Sequence, residues 1–474
     1  MKWESFKTLL LTVLVILSLV LTWNLWTYQS DYNTIEKPDY ITSVLVSKGK
    51  GKSTIGEIIH PFQAIYHADD QIYGLSTGQD LHDMFQTLID AEFRNIFVFS
   101  NELPDKLKRN RRQEPDSNGV EIIFPKAIPV SLFGEMLQGD GSDKENMQDD
   151  FQDIDSDTVF DRIVFYNVDK DQNTSMKAYF KERESTVASA DVNNVSLADL
   201  KSYYEDKHIF LAKNLDDKTI YLPAEPKPKK LLFNKSWISE EKFINALFSY
   251  PNVRQEQENV YKSVSEFLRV NNHIIKYFNA DPGSGKVKTN LSAKKNPSLL
   301  QESFQVINSH SGWTHDYMLF DYKNVEQKDN PLLNGTAIFR LMVGNSSSEY
   351  RYPVFSDVSG YGYYPYNDAG TILLSWKNGE VHELVRTQLY IKENLPQPGQ
   401  SNFKTGEEIW ETLNTSEEVQ MNFVKDIRVG YEMTYPPDPN LVFTPKWFVL
   451  YNGEWVSADK LTTPKEKVQE GNEQ

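Results

Sequence analysis

The chain has no cysteine. No disulfide can brace it, and no thiolate is available as a metal ligand or a nucleophile. Positive charge is also short: 50 Lys and Arg face 67 Asp and Glu, a formal net charge of −17. A surface of that sign repels nucleic acid and anionic wall polymers, so bulk charge argues against both as partners. Long apolar runs are missing as well, with one exception near the N-terminus. Aromatic residues are plentiful. At 13% of the chain they supply the bulk for real cores, so the chain is not a disordered stalk.

Catalytic signatures occur only as fragments. Gly283-Ser284-Gly285-Lys286 looks like part of a phosphate loop. The full loop needs a first glycine where Ala280 stands and a hydroxyl where Val287 stands. Asp153, Asp155 and Asp157 look like the start of a calcium loop, but Thr158 and Val164 occupy the positions that need Gly and Glu. The stretch from Asp140 to Asp157 carries eight carboxylates and one lysine, and reads as a solvated acidic loop. Ser47 with Lys50, Ser292 with Lys295, and Lys404-Thr405-Gly406 give two of the three penicillin-binding signatures. No serine has Asn two residues on, so the middle signature is absent. Lys404-Thr405-Gly406 also stands where a helix should begin, whereas the enzyme needs it on a strand. The histidines form no H-E-x-x-H, and His310 and His315 flank a turn, which suits surface or capping roles. No G-x-S-x-G occurs. The reading is a non-enzyme without metal or cofactor. One loop, SGYGYYPYND at 359–368, could stack on a sugar or touch a protein, or pack its rings on its own sheet.

The exceptional apolar run is LTVLVILSLVLTWNLW at 11–26. No charge occurs from Thr8 to Ser30, and the apolar part, Thr8 to Trp26, is 19 residues long. At about 1.5 Å per residue it spans roughly 28 Å, close to a bilayer's hydrocarbon core. A cleavable signal would be shorter and end in small residues; here Trp23, Trp26 and Tyr28 suit the headgroup level. The expectation is an uncleaved transmembrane helix at 8–27 after a cytoplasmic 1–7. Lys2, Lys7 and the α-amino group precede it, against Glu4. Asp31, Glu36 and Asp39 follow, with only Lys37. That asymmetry predicts a single-pass cell-membrane protein with its N-terminus inside and its bulk outside. On a helical wheel Thr8, Thr12, Ser18 and Thr22 fall within about a third of the circumference, together with Leu11, Val15 and Leu19. Hydroxyl residues on one stripe let a second helix approach and bond. Alternatively they bond to their own i−4 carbonyls.

The remainder reads as α+β: antiparallel sheets with packed helices. Predicted elements include strands at FQAIY, QIYGLS, VEIIFP and TVFDRIVFYNV, and helices over 80–93, 196–206, 297–310 and 405–414. The Pro- and Lys-rich AEPKPKK at 224–230 marks a boundary, which gives an N-terminal extracytoplasmic domain over 31–230. Beyond it the order strand, long loop, helix, strand, strand occurs twice, predicting two related α+β domains at 235–345 and 346–462. The tail from 463 to 474 reads as disordered.

The opening MKWESFKTLLLTVLVILSLVLTWNLWTYQ, the single anchor, the length, the missing cysteine and LVFTPKWFVLY near the end together resemble the YycH (WalH) family of low-GC Gram-positive bacteria. The resemblance covers the whole chain and is most specific over residues 1–30. It implies a non-catalytic accessory regulator of the WalK–WalR (YycG–YycF) two-component system, which controls cell-wall metabolism. It implies partners in the sensor kinase WalK and in YycI, met through transmembrane helices, and last two domains that resemble YycI. Thr8, Thr12, Val15, Ser18, Leu19 and Thr22 are then the expected partner-binding face. The rival reading is a wall-active enzyme or glycan-binding module tethered outside the membrane. The sign of regulation, any small-molecule ligand and the oligomeric state stay open.

Overall fold

The computed structural model describes residues 53–463 without 69–70, 100–118, 138–149, 152, 170–171, 184, 205–207, 216–217, 249–251, 282–297, 326–332, 345–350, 357–368, 396–401 and 435–439. Before residue 53 it describes Lys7, Leu11, Ser18 and Val46. Residues 1–44 and 45–474 are two compact units, and the account below concerns the second. The tyrosine loop, Gly283 to Lys286, both S-x-x-K pairs and the tail from Pro464 lie outside the described residues. Among the described residues no helix is long and apolar enough to cross a membrane. The span at 8–27 is described only at Leu11 and Ser18, both helical and exposed.

The fold is α+β and rich in antiparallel sheet. The first sheet has nine strands: β1 (Gln63–His67), β2 (Ile72–Ser76), β3 (Glu92–Val98), β4 (Val120–Pro129), β5 (Val159–Asp169), β6 (Gln172–Glu182), β7 (Ser185–Asn193), β8 (His208–Leu215) and β9 (Lys218–Pro223). Their order is β3-β7-β6-β5-β4-β1-β2-β8-β9. Helices α1 (Ile55–Ile58), α2 (Gln79–Ile89), α3 (Val130–Met136) and α4 (Leu197–Ser202) accompany it among the described residues. Leu81, Met84, Phe85, Leu88 and Ile89 recur at helical spacing on α2, and all are buried. On β4 the strand period sorts residues between faces: Val120, Ile122 and Phe124 enter the main core, while Ile123 joins a smaller cluster with Ile65, Phe210 and Tyr221. The core itself is aromatic. Phe133 meets Phe93 at 5.3 Å and Phe180 at 5.4 Å, ring edges to faces.

The second sheet is built from β10 (Leu231–Trp237), β11 (Arg254–Gln257), β12 (Val260–Ser263), β13 (Glu266–Asn271), β14 (Ile274–Asn279), β15 (Tyr317–Asn324), β16 (Gly335–Val343), β17 (Tyr352–Ser356), β18 (Thr371–Lys377), β19 (Glu380–Thr387), β20 (Leu389–Leu395), β21 (Val424–Thr434), β22 (Asn440–Tyr451) and β23 (Glu454–Ser457). Its path is β11-β12-β13-β14-β19-β18-β16-β17-β21-β22-β10-β20, with β15 beside β16 and β23 beside β22. Helices α5 (Glu240–Leu247), α6 (Leu299–Ser309), α7 (Gly406–Thr415) and α8 (Ala458–Thr462) belong to this half. β17 joins two antiparallel groups, antiparallel to β16 and parallel to β21.

The repeated order is present in the chain, as β14, α6, β15, β16 and as β20, α7, β21, β22, but the strands are not arranged alike. In space the first copy runs β14-β19-β18-β16-β15 and the second β20-β10-β22-β21. Two strands separate β14 from β16 in the first copy, and one strand separates β20 from β22 in the second. The inserted strands are exchanged: β18 and β19 come from beyond residue 346, and β10 begins at Leu231. A cut between 345 and 346 therefore passes through hydrogen-bonded strands, and 235–345 and 346–462 are not separable halves. The apolar stretch HELVRTQLYIK at 382–392 reads as one strand but forms parts of two in different neighbourhoods, β19 on β14 and β20 on β10. The switch falls at Gln388, whose N–H donates to His273 O and whose side-chain amide donates to Ile238 O at 3.0 Å.

The two sheets meet along a tied seam. Lys126 on β4 pairs with Asp321 on β15 at 2.9 Å. Lys213 on β8 pairs with Glu407 on α7 at 2.6 Å and lies over the Trp410 ring. The Arg428 guanidinium sits 3.9 Å from the Phe62 ring centre, while its Nε and Nη2 fork onto Asp426 at 2.9 and 2.6 Å. Behind it the Arg340 guanidinium is sandwiched between Phe320 and Phe355, at 4.4 and 4.5 Å. One apolar core runs through both sheets, from Phe85 to Trp447.

Candidate functional site

At the seam lies a cleft of 280 Å³. The first sheet's half contributes Glu57 on α1, His60 just after it, and Thr77, Gly78 and Gln79 where α2 begins. The second contributes Asp316 and Tyr317, Met342 and Arg351. Thr77 and Arg351 fix the two sides together: Arg351 N–H donates to Thr77 O at 2.6 Å, and the Thr77 hydroxyl donates to Arg351 O at 2.5 Å. The Arg351 guanidinium donates to Asp316 Oδ2 at 2.6 Å. Leu81 and Phe85 make the floor apolar. The lining mixes carboxylates, a paired arginine and imidazoles, and includes no serine or lysine. The hydroxyls of Thr77 and Tyr317 and the carboxylates of Glu57 and Asp316 also line it, above the apolar floor.

The displaced titratable groups serve packing. Burial pushes the His315 imidazole down to about 4, and its Nε2 accepts the Ile391 N–H at 2.9 Å. Burial also lowers His310, the residue that ends α6. Burial lowers the Arg386 guanidinium, which donates to Gly312 O at 2.8 Å and faces the Phe243 ring. Thr405 caps α7: its hydroxyl accepts the Glu408 N–H, and Glu408 accepts the Thr405 N–H in return. Lys404-Thr405-Gly406 is thus a helix start. Asp155 and Asp157 lie in a turn, where Asp157 N–H donates to Asp155 Oδ1. Among the described residues no group of three or more His, Asp or Glu is placed to hold a metal.

Of the expected partner-binding face, Thr8, Thr12, Val15, Leu19 and Thr22 lie outside the described residues, and Ser18 is helical and exposed. The cleft was not legible beforehand. Its residues carry no local motif and are brought together from positions as far apart as Glu57 and Arg351.

Family models give the decisive comparison. The YycH protein N-terminal domain matches residues 4–206, and the YycH protein C-terminal domain matches residues 217–466. The chain belongs to the YycH family. A relative from Bacillus subtilis (strain 168), named two-component system WalR/WalK regulatory protein YycH, is 22% identical over 501 residues, covering 99% of this chain and 100% of its own. The crystal structure of YycH from Bacillus subtilis superposes with a TM-score of 0.60 at 17% identity, over 86% of this chain and 98% of the other, and so shares the fold. In YycH terms, the nine-stranded sheet lies mainly in the N-terminal domain and the fourteen-stranded sheet in the C-terminal one. β8 and β9 fall where the two matches meet, and the cleft draws residues from both domains.

Proposed function

We propose that this YycH-family chain is a membrane-anchored, non-catalytic regulator of a sensor histidine kinase of the WalK (YycG) type, acting on cell-wall metabolism. The observation that carries the reading is the match of both YycH domains, together with a relative named as a WalR/WalK regulatory protein that aligns along its whole length. The chain crosses the cell membrane once at 8–27, N-terminus inside. Its helix meets the kinase helix through Thr8, Thr12, Val15, Ser18, Leu19 and Thr22, together with YycI. Contacts of this kind bias a kinase only if they differ between its two states. Individual interhelical hydrogen bonds are worth roughly 0.6 kcal/mol, so the stripe acts cumulatively.

Replacing Thr8, Thr12, Ser18 and Thr22 by Leu preserves insertion, because Leu partitions into lipid at least as well. It removes the hydroxyls and adds bulk where the partner approaches. The expected result is normal membrane levels, loss of kinase co-purification and altered expression of kinase-controlled wall genes. Ala at Leu10, Leu14, Leu17 and Leu21, mainly on other faces, does less. A stripe variant that still co-purifies and regulates normally overturns the helix contact.

A further inference from the structure

The chain enters its folded body at an unexpected place. Val46, near the start of the second unit, is 2% exposed. Its side chain belongs to a small apolar cluster, separate from the main core, with Phe243 and Ala246 on α5, Leu268 and Val270 on β13 and Ile275 on β14. Its N–H donates to His310 O at 3.0 Å. A second tie follows: Ser53 N–H donates to Asn308 Oδ1 at 2.9 Å. Both acceptors stand at the C-terminal end of α6. That end is itself held, because Arg386 grips Gly312 O in the turn that follows. Every one of these partners lies in the C-terminal YycH domain, residues 217–466, although Val46 and Ser53 lie in the N-terminal one.

We propose that Val46 is a plug that docks into the pocket formed by α5, β13 and β14, so that the segment following the membrane helix is fastened to the C-terminal domain. The occupant is given by the structure: a residue of this same chain, seated by apolar burial and a backbone hydrogen bond. A plug of one valine is a low-stability attachment compared with the body it joins, so it is the place where the two come apart first. Undocking exposes Val46 and leaves the body folded. The regulatory use of the plug rests on the helix-contact reading above; the docking does not.

The cysteine-free chain makes the test direct. Full-length Val46→Cys protein in membranes is labelled with an impermeant maleimide, beside Val264→Cys as a fully accessible control, since Val264 is 75% exposed. Rates are normalised to those in denaturant. Val46→Cys is expected to label about tenfold more slowly or less, the mark of a site that reacts only on opening. Adding Leu268→Ala, which thins the pocket, speeds Val46→Cys labelling and leaves Val264→Cys unchanged. Equal rates for Val46→Cys and Val264→Cys overturn the docking. Val46→Asp then tests its use: kinase co-purification is retained and expression of kinase-controlled wall genes shifts. Val46→Asp protein that regulates as the wild type does overturns the coupling. Failure of the wild-type protein to co-purify with the kinase would instead sink the helix contact, and the labelling contrast would still decide the plug.

Discussion

At the scale of single residues, the most consequential group is Glu121. Burial alone would push its carboxyl up, but the hydrogen bond with His67, the Arg162 charge and the Tyr221 hydroxyl outweigh it, and the group stays below the usual carboxylate range. Arg162 Nη1 donates at 2.8 Å, Tyr221 OH at 2.9 Å, and His67 Nε2 stands 3.2 Å away. The network ties β9 across β1, β4 and β5. A carboxyl with a lowered folded value stabilises the fold above its unfolded value, about 4.3 for Glu, and loses that contribution as pH falls through the folded value. Glu121→Ala leaves Arg162 buried without this carboxylate and should cost about 3–5 kcal/mol at pH 7. Glu121→Gln, which keeps an acceptor, costs less. Urea unfolding checks both, and the gap between wild type and Glu121→Gln should narrow from pH 7 to pH 3. A gap that does not change with pH would mean the charge of Glu121 is irrelevant. None of this was legible in VEIIFP. There Glu121 reads as the water-facing position of an alternating strand. Only the cover provided by β8 and β9 turns that face inward, and Arg162, His67 and Tyr221 are 41, 54 and 100 residues away.

At the scale of elements, periodicity and caps carried most of the information. α2, α6 and α7 are found where apolar residues recur at helical spacing, and Ser196 and Thr405 cap as their sequence positions suggest. Strands of small or mixed residues, among them β7 and β8, carry little such signal; STVASADVN, for one, offers no clean alternation. The hairpin β13–β14 reads as one strand in sequence. Its turn is Asn272-His273, both at positive φ, rather than the Asn-Gly that marks Asn378-Gly379 and Asn452-Gly453. The element with the sharpest consequence is the start of α7. Gly406 N–H donates to Ala224 O, and a Cβ on Gly406 would lie 2.6 Å from Pro223 O. Its lack of a side chain is thus what lets the helix touch the first sheet. Gly406→Ala should lower stability by about 1–3 kcal/mol by wedging that contact. Thr405→Ala, which removes only the cap, should cost about 1 kcal/mol. Thermal unfolding of both separates the effects. A Gly406→Ala protein as stable as the wild type would show that the seam yields at no cost.

At the scale of the whole molecule, the question is whether the two YycH domains behave as one piece. Sequence pattern suggested three extracytoplasmic domains and a boundary in AEPKPKK. The structure makes that stretch an extended join, with Pro226 and Pro228 buried and Lys227, Lys229 and Lys230 exposed. Tyr431 OH donates to Lys229 O at 2.8 Å, so the join is held to β21. A linker between independent domains would be solvated and free of such ties. Pattern reading could not find this, because exchange of β10, β18 and β19 between neighbouring groups leaves no mark on local periodicity. The apolar core is also shared, and removing one sheet would expose the other's inner face to water. A purified body spanning residues 45–463 should therefore unfold in one calorimetric transition, with its calorimetric and van't Hoff enthalpies in agreement. Lys213→Ala with Lys126→Ala removes two polar ties and leaves the core, so it should lower the midpoint without splitting the peak. Two resolved transitions in the unaltered body would refute the single-piece view. The outcome bears on regulation. A body that moves as one unit passes any force at its far end to its own first residues near Val46, whereas hinged domains would absorb it between them.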